Sequence, residues 1–289
     1  MIIILFMLGA MGGSFACAQV WRLRARQLHE DKAAGEQIDS KELSRLQILI
    51  RPMLRDRSEC LHCHQILRWY DLVPVISWVL LWGRCRYCRH SIGYTEILSE
   101  LGLGAVFLLS YLYWPFEQLG AYAWVLLALW LIACVLMAIL FIYDAKWYLL
   151  PFWINAGLIC VGAVYATYVF ISGTGQTAVS LISGIGILGG LYYVFSRFGW
   201  VGEGDAILGV GLALFAGSWQ HSLLVLFLAN LLGCFMLIPL ALRGALKRSM
   251  HIPFGPFLII GLFASVLWGD EIIQTIMSIV DPFGYMVML

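Results

Sequence analysis

The sequence predicts an all-α polytopic membrane protein of about eight transmembrane helices, with a small cytosolic zinc-ribbon-like insertion between the first two. Three observations predict it. Hydrophobic residues make up 62% of the 289 and charged residues only 12%, about half the charged share of an ordinary soluble domain. Mean hydropathy is +0.86. Apolar runs long enough to cross about 30 Å of hydrocarbon recur along the chain, and the one long interruption carries two CxxC pairs.

Taken in order, the candidate spans cover 1–20, 97–114, 121–143, 152–171, 178–195, 206–219, 221–241 and 254–269. The first opens on Met1-Ile2-Ile3-Ile4, where a signal peptide would carry positive charge, and reads as a retained helix. The sixth is short, and Pro253 and Pro256 interrupt the last. The expected organisation is a first transmembrane helix over 1–20, a cytosolic segment over 21–96 and a membrane-embedded core over 97–289.

Charge sets the orientation. With 21–96 in the cytosol, eight spans place loops 144–151, 196–205 and 242–253 on that side. All 18 Lys and Arg then fall inside: those from Arg22 to Arg89, then Lys146, Arg197, Arg243, Lys247 and Arg248. The outer loops hold only acidic charge, at Glu117, Asp270, Glu271 and Asp281. This is the positive-inside pattern, and it predicts periplasmic termini in a cytoplasmic membrane. The bilayer is the implied partner; a net charge of +1 implies no nucleic acid.

Arg22 to Arg57 is mixed-charge, read as a helix running off the first span followed by a linker. Next come Cys60-Leu61-His62-Cys63, twenty-one residues, and Cys85-Arg86-Tyr87-Cys88. Paired CxxC turns at this separation point four thiolates, Cys60, Cys63, Cys85 and Cys88, at one tetrahedral zinc ion. Such a site is closed and serves folding, with His62, His64 and His90 flanking it. Cys17, Cys134, Cys160 and Cys234 stand singly in apolar runs and read as core packing. Glycines 184, 186, 189, 190, 209 and 211 sit in apolar helices, where they let backbones approach closely. The absence of GxGxxG, P-loop, HExxH and GxSxG patterns weighs against nucleotide hydrolysis, zinc proteolysis and serine hydrolysis.

Asp144 and Asp205 are the candidate catalytic residues. Each lies where an apolar helix meets the cytosolic face, in Tyr143-Asp144-Ala145 ahead of Leu150-Pro151 and in Gly202-Glu203-Gly204-Asp205. A carboxylate at membrane depth is expensive and marks function by default. Singly, Asp144 also reads as a solvated helix end beside Lys146, and Asp205 as a helix cap. Together, with Gly202 and Gly204 allowing close approach, they read as a pair that shares a proton and activates water.

At these residues the chain resembles the type IV prepilin peptidases, bacterial inner-membrane aspartic peptidases with a GxGD signature. The likeness runs from Gly13-Ser14-Phe15 and Arg22-Leu23 through the CxxC pairs, Asp71-Leu72-Val73-Pro74, Gly83-Arg84-Cys85-Arg86 and Glu100. It continues through Asp144, Leu150-Pro151 and Gly202-Glu203-Gly204-Asp205, and ends at Ile252-Pro253-Phe254-Gly255-Pro256-Phe257. It implies an enzyme with Asp144 and Asp205 as its catalytic pair and a zinc-binding cytosolic element. It also implies cleavage of the leader from type IV prepilins or type II secretion pseudopilins, then N-methylation of the new terminus from S-adenosylmethionine. The chain departs from the family pattern at Cys17, where Asn is usual, at Phe152 for Asp and at Ile207 for Lys. Thr95-Glu96-Ile97 stands for Arg-Tyr-Pro. These mark a diverged member. The alternative from another class is a non-enzymatic zinc-ribbon membrane scaffold, or an inactive paralogue in pilus or secretion assembly.

Overall fold

The computed structural model describes residues 1–46, 49–50, 57–116, 119–172, 177–199, 201–244 and 252–280. Arg51, Arg55, Glu117, Lys247, Arg248 and Asp281, used above for orientation, lie outside them. The described elements are helical apart from two isolated bridges, Glu59 with Ile66 and Arg84 with Ser91. Among the described residues, seven helices are long and apolar enough to cross a membrane. The chain divides into two compact units, Met1–Leu109 and Ser110–Leu289.

The first unit is built on α1 (Ile2–Ala33) and α4 (Thr95–Leu112). As the sequence predicts, α1 runs past the apolar stretch into the charged one; its 32 residues span about 48 Å. Gly9 and Gly13, one turn apart, seat α1 on the backbone of α4. A Cβ at Gly9 would stand 2.6 Å from the Leu103 carbonyl oxygen, and one at Gly13 would overlap the Ser99 carbonyl. This is the small-residue crossing that brings helices together where lipid gives no hydrophobic drive. Ser99 Oγ donates to the Gly13 carbonyl at 3.2 Å. Past the apolar stretch, α2 (Ser40–Leu46) folds back on α1: Leu43 and Leu46 bury against Ala25 and Leu28, and Arg24 pairs with Glu42 at 2.9 Å. A 3-10 turn (Trp69–Asp71) and the short α3 (Ile76–Leu80) lie between the two CxxC sequences.

The second unit comprises α5 (Ala121–Trp147), α6 (Phe152–Ile171), α7 (Ala178–Ile185), a π turn (Gly186–Gly190), α8 (Leu191–Arg197), α9 (Glu203–Ala216), α10 (Trp219–Leu242) and α11 (Gly255–Val280). The run from α7 through the π turn to α8 is one span of 20 residues. The run expected at 206–219 is α9, whose 14 residues extend only about 21 Å, short of the hydrocarbon thickness. It packs against α6, α7, the π turn, α8, α10 and α11, and ten of its residues are buried. An apolar helix enclosed on all sides has the same composition as one bathed in lipid. Glycine admits the neighbours: a Cβ at Gly209 would lie 2.6 Å from the Leu188 carbonyl oxygen, and one at Gly211 3.2 Å from Leu158.

Candidate active site and metal centre

The two CxxC segments fold as repeats of one another. In the first, Cys60 N–H donates to the Gln65 carbonyl at 3.0 Å and His64 N–H to the Cys60 carbonyl at 2.9 Å. In the second, Cys85 N–H donates to the His90 carbonyl at 2.9 Å and Arg89 N–H to the Cys85 carbonyl at 3.0 Å. Each turns through a left-handed residue at the same register, His64 at φ 56° and Arg89 at φ 59°. The four sulfurs all lie within 4.8 Å of one another, with Cys60–Cys88 at 3.9 Å and Cys63–Cys85 at 4.0 Å. Zinc–sulfur bonds of about 2.3 Å set tetrahedral S···S separations near 3.8 Å, so the cluster could hold such an ion with little adjustment. His62 stacks on His90 with ring centroids 4.0 Å apart. The thiols titrate unequally. Burial pushes Cys60 up to about 12, whereas at Cys85 the effect of burial is outweighed by the N–H groups of Cys88 and Tyr87, which bring it down to about 7.

Asp71 ties the 3-10 turn to the second knuckle, accepting from Arg86 Nε at 2.7 Å and Arg68 N–H at 3.2 Å. Further along, Val75 is held at φ 62°, and its N–H donates to Glu100 Oε2 at 2.7 Å.

In the second unit, Asp144 lies in the last turn of α5, which ends at the left-handed Tyr148. Its carboxylate is 4% exposed, and Oδ2 accepts the Gly255 N–H at 3.0 Å. Gly255 opens α11 and is followed by Pro256, whose missing N–H is harmless in a first turn. A Cβ at Gly255 would stand 2.8 Å from that same carboxylate oxygen; only glycine lets α11 start here. Asp205 is the third residue of α9, not its cap; the cap is Gly202, whose N–H donates to Asp205 Oδ2 at 3.2 Å. The other oxygen, Oδ1, is buried with no hydrogen-bond partner among the described residues. Gly204 lets the start of α9 rest on Leu150, 3.0 Å from where a Cβ would be. The two carboxylates, both under a tenth exposed, lie within electrostatic reach of each other. Tyr192 of α8 is within reach of Asp205 and packs on Phe254, ring centroids 5.7 Å apart.

One residue of this region was missed from the sequence. Asn155 of α6 is 1% exposed, and neither amide atom has a hydrogen-bond partner among the described residues. It shares the α6 face of Leu158 and Gly162, which pack on Gly211 and Leu214 of α9. A buried, unsatisfied amide costs about 1–3 kcal/mol. Asn in an apolar helix was the available signal.

Two family models match: the Bacterial Peptidase A24 N-terminal domain over residues 7–114 and the Type IV leader peptidase family over 131–238. A prepilin leader peptidase/N-methyltransferase of Aeromonas hydrophila is 33% identical over 75% of this chain and 73% of its own length. The chain belongs to the type IV prepilin leader peptidase family. Another member, a type 4 prepilin-like proteins leader peptide-processing enzyme of Escherichia coli O78:H11, is 30% identical over 89% of the chain and 90% of its own length. A third, the prepilin leader peptidase/N-methyltransferase of Pseudomonas aeruginosa PAO1, is 29% identical over 93% and 91%. No solved structure matches. In this member of the family the departures at Cys17, Thr95-Glu96-Ile97, Phe152 and Ile207 leave the four cysteines and the two aspartates in place.

Proposed function

We propose that this protein cleaves the leader peptide of type IV prepilins or type II secretion pseudopilins with Asp144 and Asp205 as its catalytic pair. The observation that carries this reading is the meeting of two buried carboxylates, from α5 and α9, in a largely apolar bundle of a prepilin peptidase family member. Two carboxylates in one cleft share a proton. The ionised one takes a proton from water as the hydroxyl attacks the scissile carbonyl. The protonated one donates to that carbonyl oxygen; the tetrahedral adduct then collapses with cleavage of its C–N bond, the first aspartate passing the proton it took from water to the leaving amine and the second recovering the hydroxyl proton, which releases leader and mature pilin. The Gly255 N–H fixes the orientation of Asp144, and Gly204 sets the approach of α9.

The same enzyme then methylates the new N-terminal amine. S-adenosylmethionine, leaving as a neutral thioether, would supply the methyl group, and the amine would give up its proton to water. Cys60, Cys63, Cys85 and Cys88 hold zinc, a closed site that folds its segment and leaves no open position for water. The protein sits in the bacterial cytoplasmic membrane with the aspartates facing the cytosol; with the short, enclosed α9 as the crossing between α8 and α10, eight passes put both termini in the periplasm.

Purified protein incubated with a synthetic prepilin tests this, with product masses as the readout. A mature chain, then one heavier by a methyl group, is expected. Intact prepilin would instead favour a scaffold or an inactive paralogue.

A further inference from the structure

Asn155 is buried, at 1% exposure, and neither its amide nitrogen nor its amide oxygen has a hydrogen-bond partner among the described residues. A helical asparagine has a local remedy: Asn230 Nδ2 donates to the Leu226 carbonyl, one turn back, at 2.7 Å. For Asn155 the equivalent carbonyl is that of Pro151, which already accepts the N–H groups of Ile154 and Asn155. A buried polar group left in this state calls for a partner from outside the fold.

Its place in the bundle narrows what that partner is. Leu150 rests at Gly204, Leu158 at Gly211 and Gly162 at Leu214, so α6 and α9 advance together. These pairings set Asn155 at the level of Leu208, three residues and about 4.5 Å beyond Asp205 along α9. Leu208 borders the carboxylate pair: the point where a Cβ on Gly255 would stand is 3.5 Å from Leu208 Cδ2 and 2.8 Å from Asp144 Oδ2. Asp205 Oδ1 is itself buried with no partner among the described residues. Unsatisfied groups of α6 and α9 thus lie within one helical turn of each other in depth.

We infer that Asn155 is a substrate-binding residue of the peptidase site, its side-chain amide pairing with one main-chain peptide unit of the prepilin on the mature side of the scissile bond. The inference rests on the cleavage proposed above and adds a binding residue to it. A peptide must be extended to be cut, which strips its intrahelical bonds at a depth where water is scarce. A side-chain amide offers one donor end and one acceptor end, the complement of a peptide unit. With α9 starting at the cytosolic face, the level of Leu208 is deeper than Asp205, on the side away from the cytosolic leader. An extended chain advances about 3.3 Å per residue, so Asn155 reaches the first or second peptide unit beyond the bond that is cut.

The test pairs one substitution with a backbone change in the substrate. Asn155→Leu keeps the size of the side chain and removes both unsatisfied atoms, so Tm should be no lower than wild type while kcat/KM falls at least about tenfold. Synthetic prepilins carrying an ester in place of one peptide bond, at each of the four units beyond the scissile bond in turn, are then cleaved by both enzymes in lipid nanodiscs. The wild type should lose about tenfold on the ester at the first or second unit, and Asn155→Leu should lose nothing further there. Should the leucine variant fail to accumulate, Asn155→Ala, which also removes the amide, takes its place in the ester series. Wild-type kinetics in the variant, or ester penalties equal in both enzymes at every position, would make Asn155 an internal packing residue and overturn the inference while leaving the peptidase standing. A wild type that cleaves no prepilin removes the proposed function and this residue's role with it.

Discussion

The cysteine cluster and the aspartate pair each gather titratable groups around one point, but they are assembled over different distances. Each CxxC knuckle is complete within six residues, closed by its own backbone hydrogen bonds, and the two copies are 25 positions apart. The aspartate site has no such local frame. Asp144 is oriented by Gly255, 111 positions away, and Asp205 is brought in by a helix whose packing depends on glycines. The lesson is where each is vulnerable. A metal centre built this way would fail when a ligand is lost, whereas a catalytic pair assembled this way could fail through a residue that carries no chemistry.

Replacing a carboxylate should have the largest effect. Asp144→Asn and Asp205→Asn each keep shape and remove a proton carrier, so cleavage should fall by about 10³-fold or more. Expression and zinc content should hold, measured by product mass and elemental analysis. Full activity in either variant would sink the aspartic mechanism.

Next is the test that separates the two regions. Gly255→Ala drives a methyl group to 2.8 Å from Asp144 Oδ2. A shift of about 1 Å at a reacting group can cost about 10²-fold, and a loss of that order in kcat with unchanged zinc is expected. Wild-type kinetics would mean that α11 does not position Asp144.

The reverse experiment removes two ligands. Cys63→Ser with Cys88→Ser should take zinc from about one equivalent per chain to none and lower protein level. The enzyme that survives should cleave at a rate within a few-fold of wild type. A collapse of kcat in well-folded, zinc-free protein would make the metal centre part of the chemistry.

Smallest is Glu203→Gln. It neighbours the pair but has no part in it, and less than a twofold change in cleavage is expected, in keeping with an exposed site.

How much of this was legible followed the same division. The knuckles could be read because their geometry is local. The aspartates could be read one at a time, because a carboxylate in an apolar run is conspicuous on its own. Their convergence, the Gly255 contact and the buried amide of Asn155 come from packing between distant segments, which no periodicity encodes. The run at 206–219 shows the limit most plainly: α9 carries span-like hydropathy because it is enclosed by other helices.

The π turn at Gly186–Gly190 has a consequence of phase. A π turn holds one residue more than an α turn, so everything after it is rotated by about 100° from where an unbroken α-helix would put it. Tyr192, now packed on Phe254 and within reach of Asp205, owes its bearing to that surplus residue. Deleting one glycine there would remove no functional group and alter no charge. It would still turn the tyrosine out of line with Phe254, making reading frame along a single helix a determinant of what stands beside Asp205.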